Sequence, residues 1–249
     1  MFNYVKAELL KLKRTSTMKI VVGIPFVAMV LAVVAGEYYM LDIALNWWYI
    51  LFFPTILVLI TGNIFGQNDK KNEYKGLLLS VEDTEKLGLA KLVTVAICSL
   101  ISTVIFTILV LILILVYSKF FDFEIRTGIL NIILGNLIIN ISYLFLVPMV
   151  GLLVKKFSYL LVTVGGIIIF NILDGLMWKT EVALYNPFSI TSMLMSTIFK
   201  IQPNGVLNNG EIPLLSISQM GLSIGINISV FLIFSFLLIK LWNRRKLVK

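Results

Sequence analysis

The sequence predicts an all-α, polytopic membrane protein with six transmembrane helices, an N-terminal amphipathic helix and a short outer helix between spans five and six. Of its 249 residues, 59% are hydrophobic and 14% are charged, and the mean hydropathy is +0.99. Soluble globular proteins carry about 45–50% apolar and about 25% charged residues. The apolar excess falls in stretches of about 20 residues, which is the length that a helix needs to cross a bilayer.

Six stretches pass this length test, and they take up most of the chain. They cover residues 20–39, 47–65, 92–117, 129–154, 157–178 and 220–242. Little sequence remains for a separate soluble domain, so residues 1–249 form a single membrane domain. Trp47, Trp48 and Tyr49 fall at the start of the second stretch, and we interpret them as headgroup anchors.

The basic N-terminal segment, residues 2–15, has helical periodicity. Its apolar residues Phe2, Val5, Leu9 and Leu12 recur on one stripe, with lysines beside it. Such a helix lies in the membrane interface with its lysines toward anionic lipid. The alternative is a frayed basic tail that only sets the orientation.

The distribution of lysine and arginine predicts the orientation. The side that holds both termini carries 17 of the 21 basic residues, and its net charge is +11 against −3 on the other side. By the positive-inside rule, both termini are cytoplasmic.

The longest predicted cytoplasmic loop, residues 66–91, packs ten charges around the apolar run Leu77-Leu78-Leu79. A short apolar element with charged edges would suit docking to a motor subunit. The alternative is a solvated connecting loop.

The only long predicted extracellular segment, residues 179–219, contains an apolar run. Ser189 is the predicted N-cap of a helix that continues through Ile198. Because this helix is too short to span, it is re-entrant or interfacial. It would act as a lid over the outer end of the bundle or contact substrate directly.

The span interiors exclude several mechanisms. The chain has no histidine and one cysteine, and Asp174 is the only acid deep enough to count as inside a predicted span. Ion-coupled transporters need ionisable groups at mid-membrane. No glycine is followed by lysine, so a phosphate-binding P-loop is absent from the sequence. The chain is therefore not predicted to be an enzyme, and a partner would have to drive it.

Neutral polar residues do lie within the predicted spans. Helix–helix hydrogen bonds are one interpretation, and a substrate path along Asn136 and Asn140 is the other. The residues are Asn136, Asn140, Ser142, Asn171 and Asn227.

A motif lies between the second and third spans, and its residues are Glu73, Gly76, Leu78, Leu79, Asp83, Lys86 and Lys91. This motif resembles that of permeases of type 2 ABC exporters, and the Ala7–Arg14 block resembles the start of such permeases in Gram-positive bacteria. Within this family, the chain is most similar to permeases of lantibiotic-immunity or bacitracin-type exporters.

The resemblance implies a half-transporter in the bacterial plasma membrane. Two permeases, identical or sister subunits, would join two cytoplasmic ATPase subunits that bind ATP and Mg²⁺, while the permease itself holds no cofactor. Residues 2–15 would be the connecting helix, and Glu73, Gly76, Leu78, Leu79 and Lys86 would couple it to the motor.

The implied substrate is a cationic, amphipathic antimicrobial peptide of the lantibiotic type, whose removal from the membrane confers immunity or resistance. The carboxylates of Asp174 and Glu181 near the outer interface are candidate contacts for it, together with Asn136 and Asn140 in the span. The alternative function is a non-transporting membrane scaffold or sensor that binds a cytoplasmic partner.

Overall fold

The computed structural model describes most of the chain. The described residues are 1–13, 15–35, 39–70, 84–120, 128–154, 157–158, 161–162, 164–166, 168–169, 172, 180–208 and 214–244.

Nine helices are described, and the all-α prediction is confirmed. A π-helical turn, Trp48–Phe52, joins α3 to α4, and a 3-10 helix, Glu181–Leu184, precedes α8. The helices are α1 Phe2–Leu12, α2 Ser16–Ala35, α3 Met40–Trp47, α4 Phe53–Lys70, α5 Thr84–Phe120, α6 Ile129–Tyr143, α7 Leu146–Val154, α8 Pro187–Phe199 and α9 Ile217–Arg244.

Within the described ranges, five helical segments are long and apolar enough to cross a membrane. They are Ser16–Ala35, Met40–Gly66, Glu85–Lys119, Ile129–Val154 and Ile217–Leu241. The predicted fifth span, 157–178, falls largely outside the described residues. Its described residues 161–162, 164–166, 168–169 and 172 are helical.

The second span begins earlier than predicted, at Met40 rather than at residue 47. Trp48 and Tyr49 therefore lie two turns inside the helix, and both side chains are fully buried. Trp48 stacks on Phe106, with ring centroids 4.2 Å apart. The interpretation of Trp48 and Tyr49 as headgroup anchors is wrong, because protein surrounds these rings.

The charged loop predicted at 66–91 is shortened from both sides. α4 continues to Lys70 and α5 begins at Thr84, so helix enters this segment from each end. Charged and polar residues ended the predicted spans because they are costly in lipid. Glu and Lys are nevertheless good helix formers, so the helices can continue past the hydrocarbon.

The bundle has a buried centre and an exposed periphery. In an 18-residue apolar stretch of each of the spans Met40–Gly66 and Ile129–Val154, 61% of the residues are buried, against 28% in such a stretch of α2 and 22% in one of Ile217–Leu241. α4 packs on α7, and α5 packs on α1, α2 and α9. Large apolar side chains cover the outer faces of α2, α5 and α9, as expected for surfaces in contact with lipid.

We name the two ends of the bundle by their short helices. The α1 end contains α1, the end of α4 and the start of α5. The α8 end contains α3, the start of α6 and α8.

The predicted helix at the N-terminus is present as α1, but its packed face differs from the predicted stripe. Val5, Glu8 and Leu12 are buried, whereas Phe2 is 78% exposed. Lys11 donates a hydrogen bond of 2.6 Å to Glu8, which neutralises this buried carboxylate. The stripe was chosen on apolar residues alone, so it missed the Glu8 face and wrongly included Phe2.

Candidate functional site

The structure describes only part of the predicted coupling set. Lys86 lies exposed in the first turn of α5. The other members, Glu73, Gly76, Leu78 and Leu79, lie outside the described residues, and their role stays a prediction.

The predicted substrate-path residues are likewise described in part. Asn136 and Asn140 are buried on α6. Glu181 begins the 3-10 helix before α8, but its side chain is outside the description, and Asp174 lies outside the described residues altogether.

Asn136 is the centre of a polar network that joins three helical segments. Its carbonyl oxygen accepts a hydrogen bond from the Tyr49 hydroxyl at 2.6 Å, and its amide group donates to the Thr107 hydroxyl at 2.7 Å. Tyr49 belongs to the π-helical turn and Thr107 to α5. Since π-helical turns are frequent at functional sites, this junction is a candidate site within the membrane.

Asn140 extends the network one turn further along α6. Its amide group donates to the Thr103 hydroxyl at 2.6 Å and to the Ser99 carbonyl at 3.2 Å. The Tyr143 hydroxyl donates to the carbonyl of Tyr49 at 2.5 Å. The helix–helix hydrogen-bond interpretation is confirmed for both asparagines, while a role in a substrate path stays a prediction.

A second polar contact joins α9 to α6. The amide group of Asn227 donates to the hydroxyl of Ser142 at 2.6 Å and to its carbonyl at 3.0 Å. The side-chain carbonyl oxygen of Asn227 is buried without a hydrogen-bond partner. This contact also confirms the predicted role of these residues in helix association.

Helix α8 is seated tightly on α6. A Cβ atom placed on Gly135 would lie 2.6 Å from Cγ2 of Ile198 and 2.9 Å from the ring of Phe199, so only glycine permits this approach. Phe199 also stacks on Tyr49, with ring centroids 5.9 Å apart. α8 therefore packs directly on Tyr49, whose hydroxyl is hydrogen-bonded to Asn136.

The predicted cap of α8 is wrong by three residues. Asn186 is the N-cap, and its side-chain oxygen accepts from the Phe188 amide at 3.2 Å. Ser189 is already inside the helix, where its hydroxyl accepts from Asn186 at 2.9 Å. Pro187 at the first helical position explains the earlier start, because proline is favoured there.

The segment after α8 folds back onto α3. Lys200 ends the helix in the left-handed conformation, with φ 59°. The amide group of Asn46 then donates to the carbonyls of Gln202 and Pro203, at 3.0 and 3.1 Å. α8 is thus held at its start by Asn186, along its length by Gly135 and after its end by Asn46.

At the α1 end, Lys91 is a fully buried cation. Its ammonium group donates to the Ile64 carbonyl at 3.0 Å and lies 5.6 Å from the centroid of the Phe65 ring. Lys91 was part of the sequence motif, but the motif gave no indication that its side chain would join α5 to the end of α4.

Tyr143 was not predicted as a site residue, and Tyr49 was predicted at the headgroup layer rather than inside the bundle. Tyr143 follows Asn136 and Asn140 at helical spacings of seven and three residues, so these three share one face of α6. That spacing was available as a signal. Among the described residues, no three acidic or cysteine side chains come together as a metal site.

A family model described as "ABC-2 family transporter protein" matches residues 4–174, which include most of α1, all of α2 to α7 and the whole segment between α4 and α5. No curated protein and no solved structure matches the chain.

Proposed function

The chain belongs to the ABC-2 transporter family, and from this premise we propose that it is the permease of an exporter that removes cationic antimicrobial peptides of the lantibiotic type from the membrane. A separate ATPase drives it, and its activity gives the cell immunity or resistance. The observation that carries the proposal is the family match, because residues 4–174 include most of the segment 2–15 and all of the segment 66–91, the two segments assigned to motor contact.

The arrangement at the α1 end supports motor coupling. α1 packs on α5, and the segment 66–91 contains the end of α4 and the start of α5. A motor that contacted both segments would act on α5 from two sides. In the proposed complex, two permeases, identical or sister subunits, stand on two ATPases that bind ATP and Mg²⁺.

The charge distribution supports a cationic substrate. In the proposed orientation, both termini are cytoplasmic in the plasma membrane, and the outer side carries a net −3. Asp174 lies near the predicted outer end of the fifth span, and Glu181 lies just beyond that end. A carboxylate at such an interface attracts a peptide lysine more strongly than a carboxylate in bulk water does, because the local dielectric is lower.

Direct reconstitution tests the function. The permease is placed in liposomes with its ATPase, and ATP hydrolysis and peptide export are measured with a lantibiotic and with a charge-neutralised form of the same peptide. Export of the cationic peptide that requires a hydrolysis-competent ATPase is expected. If the permease binds the ATPase but moves neither peptide, the scaffold or sensor function replaces the proposed one.

The carboxylates are tested by the double change Asp174→Asn with Glu181→Gln. Protection per inserted molecule should fall several-fold for the cationic peptide, and more at low salt because salt screens the attraction. The neutralised peptide is the matched control. Equal loss for both peptides would contradict the electrostatic contact.

The coupling segment is tested by Glu73→Lys and Gly76→Leu. Both variants should insert normally, while peptide-stimulated ATP hydrolysis by the complex falls. Normal ATP hydrolysis and normal protection in both variants would contradict the proposed role of these residues in motor coupling.

The orientation is tested by labelling. Asn204 is exposed in the turn after α8, whereas the natural Cys98 is buried. Asn204→Cys with Cys98→Ser should react with an impermeant thiol reagent on intact cells. Reaction only after cell lysis would invert the topology.

A further inference from the structure

We call the end of α4 and the start of α5 the two helical roots of the 66–91 segment. We propose that Lys91 is a positioning residue that holds these two roots together, so that a force on the segment moves α4 and α5 as one unit. The inference rests on the proposed permease function, because that function supplies the motor. It assigns a mechanical role to a cation that lies outside the predicted coupling set.

The first support is the contact itself. Lys91 lies on α5, seven residues after the helix begins, and its ammonium group reaches the carbonyl of Ile64, six residues before α4 ends. The bond therefore spans the two helices close to where each enters the 66–91 segment. The ring of Phe65, beside Ile64, lies 5.6 Å from the same ammonium group.

The second support is the burial of the charge. A fully buried lysine loses its hydration, and burying a charge is costly unless the charge is paired or hydrogen-bonded. The hydrogen bond to the Ile64 carbonyl offsets part of this cost, and it sets the position of α5 along α4.

The third support is the close packing of the end of α4 against neighbouring helices. A Cβ atom on Gly66 would lie 3.0 Å from Cγ1 of Val154, so α4 is in close contact with α7 there. A Cβ atom on Gly151 would lie 3.0 Å from Leu238 and 3.7 Å from Phe65, which brings α9 into the same junction. The Lys91 contact thus joins α5 to a packed group of three helices.

This junction explains how force on a short segment could reach most of the bundle. Without the Lys91 bond, the segment could pull α5 away from α4 and dissipate the motor's work in separating them. With it, α5 carries α4, and α4 carries α7 and α9 through the glycine contacts. The lysine would affect the yield of transport per ATP more than it affects folding.

The first test measures coupling in the reconstituted permease–ATPase complex. Lys91→Met should leave ATP hydrolysis nearly unchanged and lower peptide export per ATP by about five-fold or more, the lower end of typical coupling between sites. Lys91→Arg keeps a cationic donor and should restore most of the yield. Lys119→Met, at the exposed far end of the same helix, is the matched control and should resemble the wild type.

The second test measures the junction itself and does not depend on the peptide. Spin labels at Asn63 on α4 and Leu89 on α5, with Cys98→Ser, report the distance between the two roots. In the wild-type complex the distribution of this distance should be narrow, and it should be the same in the nucleotide-free and the ATP-trapped state. In Lys91→Met the distribution should broaden or shift when the ATP-bound state is trapped.

The outcomes separate the two proposals. A wild-type complex that exports no peptide but keeps the root distance constant would overturn the proposed substrate and support the junction. Normal export per ATP in Lys91→Met, or a wild-type root distance that changes on trapping as much as in Lys91→Met, would overturn the positioning role. Lower export explained entirely by a lower amount of folded complex would overturn it as well.

Discussion

The two ends of the bundle are held together by different chemistry. At the α8 end, three contacts are made by neutral groups at close range: the Gly135 seat, the Asn136 network and the Asn46 anchor. At the α1 end, a buried ammonium group joins α5 to α4 through a backbone carbonyl.

This difference has a mechanical meaning. Close packing loses much of its energy over a displacement of less than 1 Å, whereas the attraction between a charge and a dipole weakens more gradually. The α8 end should therefore resist any change in the position of α8. The α1 end should keep its helices paired while tolerating small movements.

Of the changes that test this comparison, Gly135→Ala should have the largest effect on the free energy of unfolding. Its methyl group would lie 2.6 Å from Ile198, so α8 must shift, and the free energy of unfolding should fall by about 2 kcal/mol. Gly225→Ala is the matched control, because nothing lies within 4 Å of a Cβ atom there. Unfolding in mixed micelles measures both. Equal stability of the two variants would show that the α8 seat is not tight.

A double-mutant cycle of Tyr49→Phe and Asn136→Leu comes next. The two side chains share a buried hydrogen bond of 2.6 Å, so their coupling energy should be about 1 kcal/mol, within the usual range for membrane proteins. The four free energies of unfolding give this value. Strictly additive effects would mean that the network does not tie the π-helical turn to α6.

Asn46→Ala should have a smaller and more local effect. It removes two hydrogen bonds to the carbonyls of Gln202 and Pro203, and the expected loss is about 1 kcal/mol. Cleavage by protease near Gly205 should become faster. Asn204→Ala, which removes only a bond to the nearby Val206 amide, is the control and should cleave at the wild-type rate.

The smallest effect on stability is expected from Lys91→Met. The hydrogen bonding lost with the ammonium group is offset by removing the cost of burying its charge, so the free energy of unfolding should change by less than about 1 kcal/mol. The same unfolding assay measures it. A loss larger than that of Gly135→Ala would reverse the comparison and make the α1 end the more rigidly held one.

Much of the fold was predictable from hydropathy, because bilayer thickness sets the length of an apolar helix. The fourth span was predicted with the observed bounds, and four others were detected within a few residues or turns. The starts of the second span and of α5 were misplaced, because the search for apolar stretches ends where polar residues begin. Helices such as α5 continue through Glu85 and Lys86.

The candidate site was less predictable, since it depends on which helices become neighbours. The sequence indicated that Asn136 and Asn140 share one face of α6, and this face is indeed the hydrogen-bonded one. It gave no means to choose Tyr49 or Thr107 as partners, because these residues come from other helices. The partner of Lys91 was hidden for the same reason: it is a backbone carbonyl, which any residue supplies.

The length of α5 has a geometric consequence. Its 37 residues extend about 55 Å at 1.5 Å per residue, well beyond a hydrocarbon core of about 30 Å. A rigid rod of that length that tilts by about 5° around its middle displaces each tip by about 2.4 Å, in opposite directions. Trp48 stacks on Phe106, which lies 22 residues after the start of α5 and so close to the middle of this helix. A tilt of α5 as a rigid rod would therefore move Lys86 and the far tip of the helix in opposite directions.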